Sequence, residues 1–167
     1  MKSKEKYFIC IGTSKSILDG AAPKVGTELK KIGYNVLGTE KEQLNAKNLY
    51  QYYDKIRKLE KTYRVIAVDA SISLNNNPSI ITHISKPCCP GKGIGNQLYN
   101  IGHETIHLNV FKGLPDTELK DIFIKPEEDT DKSKKLSVHV DMIVRLCIRY
   151  ITGSENPNKI ILNKGEI

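Results

Sequence analysis

The chain has 167 residues, enough for one domain with a substantial core and too few for two ordinary ones. Its 26 Lys and Arg stand against 19 Asp and Glu for a formal charge of +7, but both signs are scattered and no basic run carries interleaved aromatics, which argues for a solvated surface and against nucleic-acid binding. No apolar run approaches the ~20 residues that span a bilayer, and no signal peptide precedes the first strand, so a membrane protein is not expected.

Tyr7-Phe8-Ile9-Cys10-Ile11, closed by Gly12, opens the chain's regular structure. An unbroken apolar run of this kind fits a strand buried on both faces. Ala22, Val25, Leu29 and Ile32 then recur on one helical face, ended by Gly33, and a short strand is predicted over Asn35 to Leu37. Leu49, Tyr52, Tyr53, Ile56 and Leu59 mark a second amphipathic helix leading into a second buried strand, Arg64-Val65-Ile66-Ala67-Val68, closed by Asp69. This β-α-β-α-β beginning predicts a largely parallel sheet with right-handed crossovers. Asn75-Asn76-Asn77-Pro78 is turn chemistry, Ile80 to Ser85 reads as a further strand, and Pro87 to Asn96 as an irregular loop. Glu104 to Phe111 resumes strand character, and Lys112 to Lys135 is a charged stretch expected as a surface excursion or lid. Leu136, Val140, Ile143, Val144, Cys147, Ile148 and Ile151 form the stripe of a last helix, followed by a tail with a small apolar patch at Ile160 to Leu162.

The four cysteines match neither a disulfide framework nor a metal knuckle: Cys10 and Cys147 fall on apolar faces, and Cys88 and Cys89 are adjacent. A reduced cytoplasmic protein follows. Gly91-Lys92-Gly93-Ile94-Gly95 lacks the spacing of a dinucleotide fingerprint and the ending of a P-loop, so its glycines are read as allowing close backbone approach at a site rim. His83 and His107 fall in strands and His139 on the last helix, as ordinary satisfied or exposed imidazoles. His103 precedes a strand that could end near the glycine loop.

Asp19 and Asp69 carry the most chemical information. Each stands just past a buried strand, at the rim where open α/β sheets collect ligands and catalytic groups. Asp19 also reads as a helix cap before Ala21-Ala22-Pro23, and Asp69 as a turn residue or cap; both alternatives stand beside a paired-carboxylate site. A divalent ion held by Asp19, Asp69 and His103 is chemically conceivable, yet no ligand spacing supports one, and neither a bound metal nor another cofactor is expected.

Several segments together resemble the small YyaC-type sporulation proteins, which are related to germination protease and more distantly to the hydrogenase maturation proteases. They are Phe8-Ile9-Cys10-Ile11-Gly12-Thr13, Leu18-Asp19-Gly20-Ala21-Ala22-Pro23-Lys24-Val25-Gly26, Val36-Leu37-Gly38-Thr39, Val65-Ile66-Ala67-Val68-Asp69-Ala70 and Pro90-Gly91-Lys92-Gly93-Ile94-Gly95-Asn96. The resemblance implies one three-layer α/β/α domain of the phosphorylase/hydrolase type with a mostly parallel sheet. It implies catalytic roles for Asp19 and Asp69, and places Gly12, Gly91, Gly93, Gly95, Asn96 and His103 around a protein or peptide substrate. The implied reaction is aspartate-dependent peptide hydrolysis in a sporulating cell. The family's Ser-Leu-Gly after the first Asp is Gly20-Ala21-Ala22 here, so a binding or regulatory protein that kept the fold without turnover is the alternative. No pattern in the chain specifies an oligomeric state.

Overall fold

A computed structural model describes residues 4–71, 79–91, 98–112 and 118–154. Strand β1 (Lys6–Ile11) is followed by helix α1 (Ala21–Lys31), β2 (Asn35–Leu37), a 3₁₀ turn (Leu49–Tyr52) running into α2 (Tyr53–Thr62), β3 (Arg64–Ser71), β4 (Ile81–Ile84), β5 (Glu104–Asn109), a second 3₁₀ turn (Leu119–Phe123) and α3 (Asp131–Ile151). The five strands form one sheet in the order β2-β1-β3-β5-β4. All neighbours are parallel except β4, which pairs antiparallel with β5 at the edge.

The alternation of a strand explains the two cores. Phe8, Cys10, Ile66, Val68, Ile106 and Leu108 leave one face and pack against α1 and α3, while Ile9, Ile11, Val65 and Ala67 leave the other and pack against Ile56 and Leu59 of α2. Both faces of β1 and β3 are therefore buried, which is why their sequences show no polar alternation. The result is a three-layer α/β/α sandwich with a mostly parallel sheet, as expected.

Local chemistry sets the ends of the helices. Pro23 falls in the first turn of α1, where its missing N–H leaves no hydrogen bond unmade. Gly38 lets the chain after β2 lie flat on β1: its φ is +92°, and a Cβ there would stand 2.0 Å from the Cys10 carbonyl oxygen. The last helix begins at Asp131, earlier than its apolar stripe suggests, because Thr130 and Ser133 form a reciprocal capping box with both bonds at 3.0 Å. Within the described part of the charged stretch, residues 118–135, lie a docked 3₁₀ turn and the first turn of α3. Among the described residues no helix is long and apolar enough to cross a membrane. The tail patch at Ile160 to Leu162 lies outside the described residues.

Candidate active site

The topology singles out one crevice. The chain leaves β1 through α1 to reach β2 on one side, then returns through α2, on the opposite face, to β3 on the other side. The carboxyl ends of β1 and β3 therefore flank a topological switch point, the place where open α/β sheets leave room for a ligand. Ile11 and Asp69 are register partners across this gap, and Asp19 lies in the loop that follows β1.

Asp19 is not the cap of α1. That helix begins after Gly20 and has no side-chain cap, whereas Asp19 Oδ2 turns back to accept a 2.8 Å hydrogen bond from the Thr13 N–H. Gly12 makes this return possible: a Cβ at residue 12 would fall 2.2 Å from the Asp19 carbonyl oxygen. The loop is braced from the β2 side, where Gln43 Oε1 accepts from Thr13 Oγ1 and from the Ser14 N–H, each at 3.1 Å. It is braced from the α3 side by the 3₁₀ turn at Leu119–Phe123. Ser16 Oγ donates to the Ile122 carbonyl, and the Ile17 N–H donates to the Ile124 carbonyl at 3.0 Å.

Asp69 is likewise no turn residue, because β3 continues to Ser71. Burial and, secondarily, the charge of Asp19 push its carboxyl up to about 7; hydrogen bonds from the Cys88 thiol and the Ala70 backbone N–H oppose the shift without cancelling it. Burial also raises Asp19, against the Thr13 N–H, which favours its ionised form. The two carboxyls titrate as a coupled pair, Asp69 raised by burial and by the charge of Asp19, and Asp19 raised by burial against the opposing Thr13 N–H.

The remaining expected site residues separate. Gly12 and Gly91 are described, the latter at φ +75° beside the loop that carries Cys88. Gly93, Gly95 and Asn96 lie outside the described residues. His103 is not at this rim. It precedes β5, whose first residue is in register with Ile66, and its Nδ1 accepts a 3.0 Å hydrogen bond from the Val65 N–H. At ~3.3 Å of rise per residue, this puts it about 13 Å along the strands from Asp69, a consequence of β5 running parallel to β3. The carboxyl end of β5 instead supplies His107, the register partner of Asp69. Sequence reasoning passed over His107 because a strand imidazole carries no spacing signal, and it missed Cys88 because the contact depends on how the loop after β4 folds. Among the described residues, no three His, Cys, Asp or Glu side chains are grouped to hold a metal ion.

Comparison with known proteins places the chain. It belongs to the family described as "Protein of unknown function (DUF1256)", which matches residues 1–113 and so includes both aspartates. A curated relative, the uncharacterized protein YyaC of Bacillus subtilis (strain 168), is 33% identical over 109 residues, covering 64% of this chain and 52% of the relative. The chain thus spans about half the length of the curated relative it matches. Among solved structures, the [NiFe] hydrogenase maturation protease HybD from Thermococcus kodakarensis superposes with a TM-score of 0.48 at 17% identity, covering 87% of this chain and 98% of that one.

Proposed function

We propose that this protein is a peptidase in which Asp19 and Asp69 act as a carboxylate pair on a protein or peptide substrate. The observation that carries the reading is the pairing of Asp19 and Asp69 at the carboxyl ends of β1 and β3, with Asp69 raised to about 7 by burial and by the charge of Asp19, and Asp19 raised by burial while accepting from the Thr13 N–H. In this mechanism the Asp19 carboxylate takes a proton from water as the oxygen attacks the scissile carbonyl carbon. The protonated Asp69 polarises the carbonyl oxygen and then delivers its proton to the leaving amine. The peptide C–N bond breaks, one water is consumed, and transfer of the proton from Asp19 back to Asp69 restores the pair. The resemblance to germination protease extends the proposal to a protein substrate in the cytoplasm of sporulating cells. The glycine loop beginning at Gly91 would let the substrate backbone approach.

A second reading rests on Gly20-Ala21-Ala22, which replaces the family's Ser-Leu-Gly beside Asp19: a protein that binds the same peptides without cleaving them. Incubating the wild-type chain and the Asp19→Asn and Asp69→Asn variants with proteins extracted from spores separates the two. The peptidase reading expects cleavage products from wild type only, reduced at least ~100-fold in either variant, and retention of uncleaved substrate by Asp69→Asn. Equal retention by all three chains with no products would replace it by the binding protein.

A further inference from the structure

Asp69 has a third neighbour that the paired-carboxylate reading does not use. Cys88 is 1% exposed and its Sγ lies 3.7 Å from Asp69 Oδ2. The thiol is held there by backbone: Cys88 and Ile101 form an antiparallel bridge with both N–H···O bonds at 2.9 Å, and both side chains pack over the sheet face that carries Ile9, Val65 and Ala67.

We propose that Cys88 is a positioning residue for Asp69, its S–H donating to Oδ2 so that the carboxyl is held in one rotamer with its other oxygen directed to the crevice. The inference rests on the proposed role of Asp69 for its catalytic meaning, though the contact itself does not. A thiol suits this task for two reasons. Burial, followed by the charge of Asp69, raises its own ionisation far above neutrality, so it remains a donor throughout the working range of the carboxyl. It is also a weak donor, so it orients the carboxyl without strongly favouring the carboxylate, as a hydroxyl would. The other groups facing Asp69 lack one of these properties: Asp19 from the β1 loop is an acceptor when ionised, and His107 from β5 is itself titratable.

The test is a titration of Asp69 in chains labelled with ¹³C at the aspartate carboxyls, assigned by loss of the signal in Asp69→Asn. Wild type is compared with Cys88→Ser and Cys88→Ala. Serine supplies a stronger donor and should lower the Asp69 midpoint, whereas alanine removes the donor and should raise it, each by roughly half a pH unit or more. Midpoints that stay within about 0.2 unit in both variants, or that move in the same direction, would overturn the proposal, since a mere loop displacement has no reason to follow donor strength. Should the alanine chain fail to fold, the near-isosteric serine chain decides alone: its midpoint falls or the inference is wrong. The titration needs no substrate. A donor-dependent midpoint in a chain that cleaves nothing would therefore remove the peptidase and leave the positioning contact standing.

Discussion

Asp69 on β3 and His107 on β5 are register partners in a parallel ladder, and His107 Nδ1 is buried with no hydrogen-bond partner among the described residues. Residues in register leave the same face of the sheet. An acid pushed up to about 7 thus stands beside a base that burial pushes down, so that burial disfavours the charged form of both. Their contributions to stability respond to pH in opposite senses.

For Asp69 the folded carboxyl titrates near 7 and the unfolded one near its ordinary 3.8. The folded state therefore binds more protons between these values, and the group's contribution is fully present below 3.8 and lost as pH rises through 7. An amide at this position does not ionise. Asp69→Asn should consequently gain stability relative to wild type by on the order of a few kcal/mol between pH 5 and pH 8. Urea midpoints at the two pH values measure this, and a difference independent of pH would contradict the raised carboxyl.

His107 carries the opposite sign. Its folded imidazole is lowered by burial, so its contribution is present above the unfolded value of 6.5 and lost as pH falls below it. His107→Asn should reduce the acid destabilisation seen between pH 6.5 and 5. Only part should disappear, because burial also lowers His139, whose Nε2 lies 3.1 Å from the Val110 carbonyl oxygen. Thermal unfolding at half-unit steps across this range is the measurement.

Much of this architecture was legible because the strands are buried on both faces. Tyr7 to Ile11 and Arg64 to Val68 could be read without alternation, and the stripe from Leu136 to Ile151 could belong only to a covering helix. What could not be read depended on contacts distant in sequence. The place of β4 at the edge, antiparallel to β5, follows from pairing Ile81 with Leu108 and not from any local preference. The start of α3 at Asp131 is polar on the exposed side and is marked only by the Thr130–Ser133 box. At the site, Asp19 has the neighbours of a helix cap, and only the fold-back permitted at Gly12 turns its carboxyl toward Thr13. His103 and His107 are four residues apart on the same chain segment, so the direction of β5 decides which of them reaches the aspartate end of the sheet.

Gly12 provides a direct test of that fold-back. Its Cβ position is 2.2 Å from the Asp19 carbonyl oxygen and 3.0 Å from Pro23 Cδ, so even a methyl group requires the backbone of the Asp19 loop to move. Gly12→Ala should cost about 1–3 kcal/mol and should displace Asp19 from the Thr13 N–H. Because Asp19's charge contributes to the elevation of Asp69, the Asp69 midpoint should fall in the same variant. Loss of stability with an unchanged Asp69 titration would mean that the loop moves without carrying Asp19 away.

The 3₁₀ turn at Leu119–Phe123 offers the last test, because it couples the charged stretch to the catalytic candidate loop. Asp121 is 2% exposed, its Oδ2 accepting from the Glu118 N–H at 2.7 Å and standing 2.7 Å from Lys132 Nζ on α3. Burial alone would raise this carboxyl, yet the hydrogen bonds and charges around it prevail and hold it below the ordinary range, so its contribution is present at neutral pH and lost on acidification. The turn it fixes presents the carbonyls of Ile122 and Ile124 to Ser16 and Ile17, within the loop that ends at Asp19. Asp121→Ala should cost about 1–3 kcal/mol and speed hydrogen exchange at the Ile17 amide at least ~10-fold, with little change in the β3 amides. Asp121→Asn retains an acceptor for the Glu118 N–H but loses the charge facing Lys132, and should fall between alanine and wild type. An Ile17 amide that exchanges at the wild-type rate in both variants would show that the β1–α1 loop holds its shape without this strap.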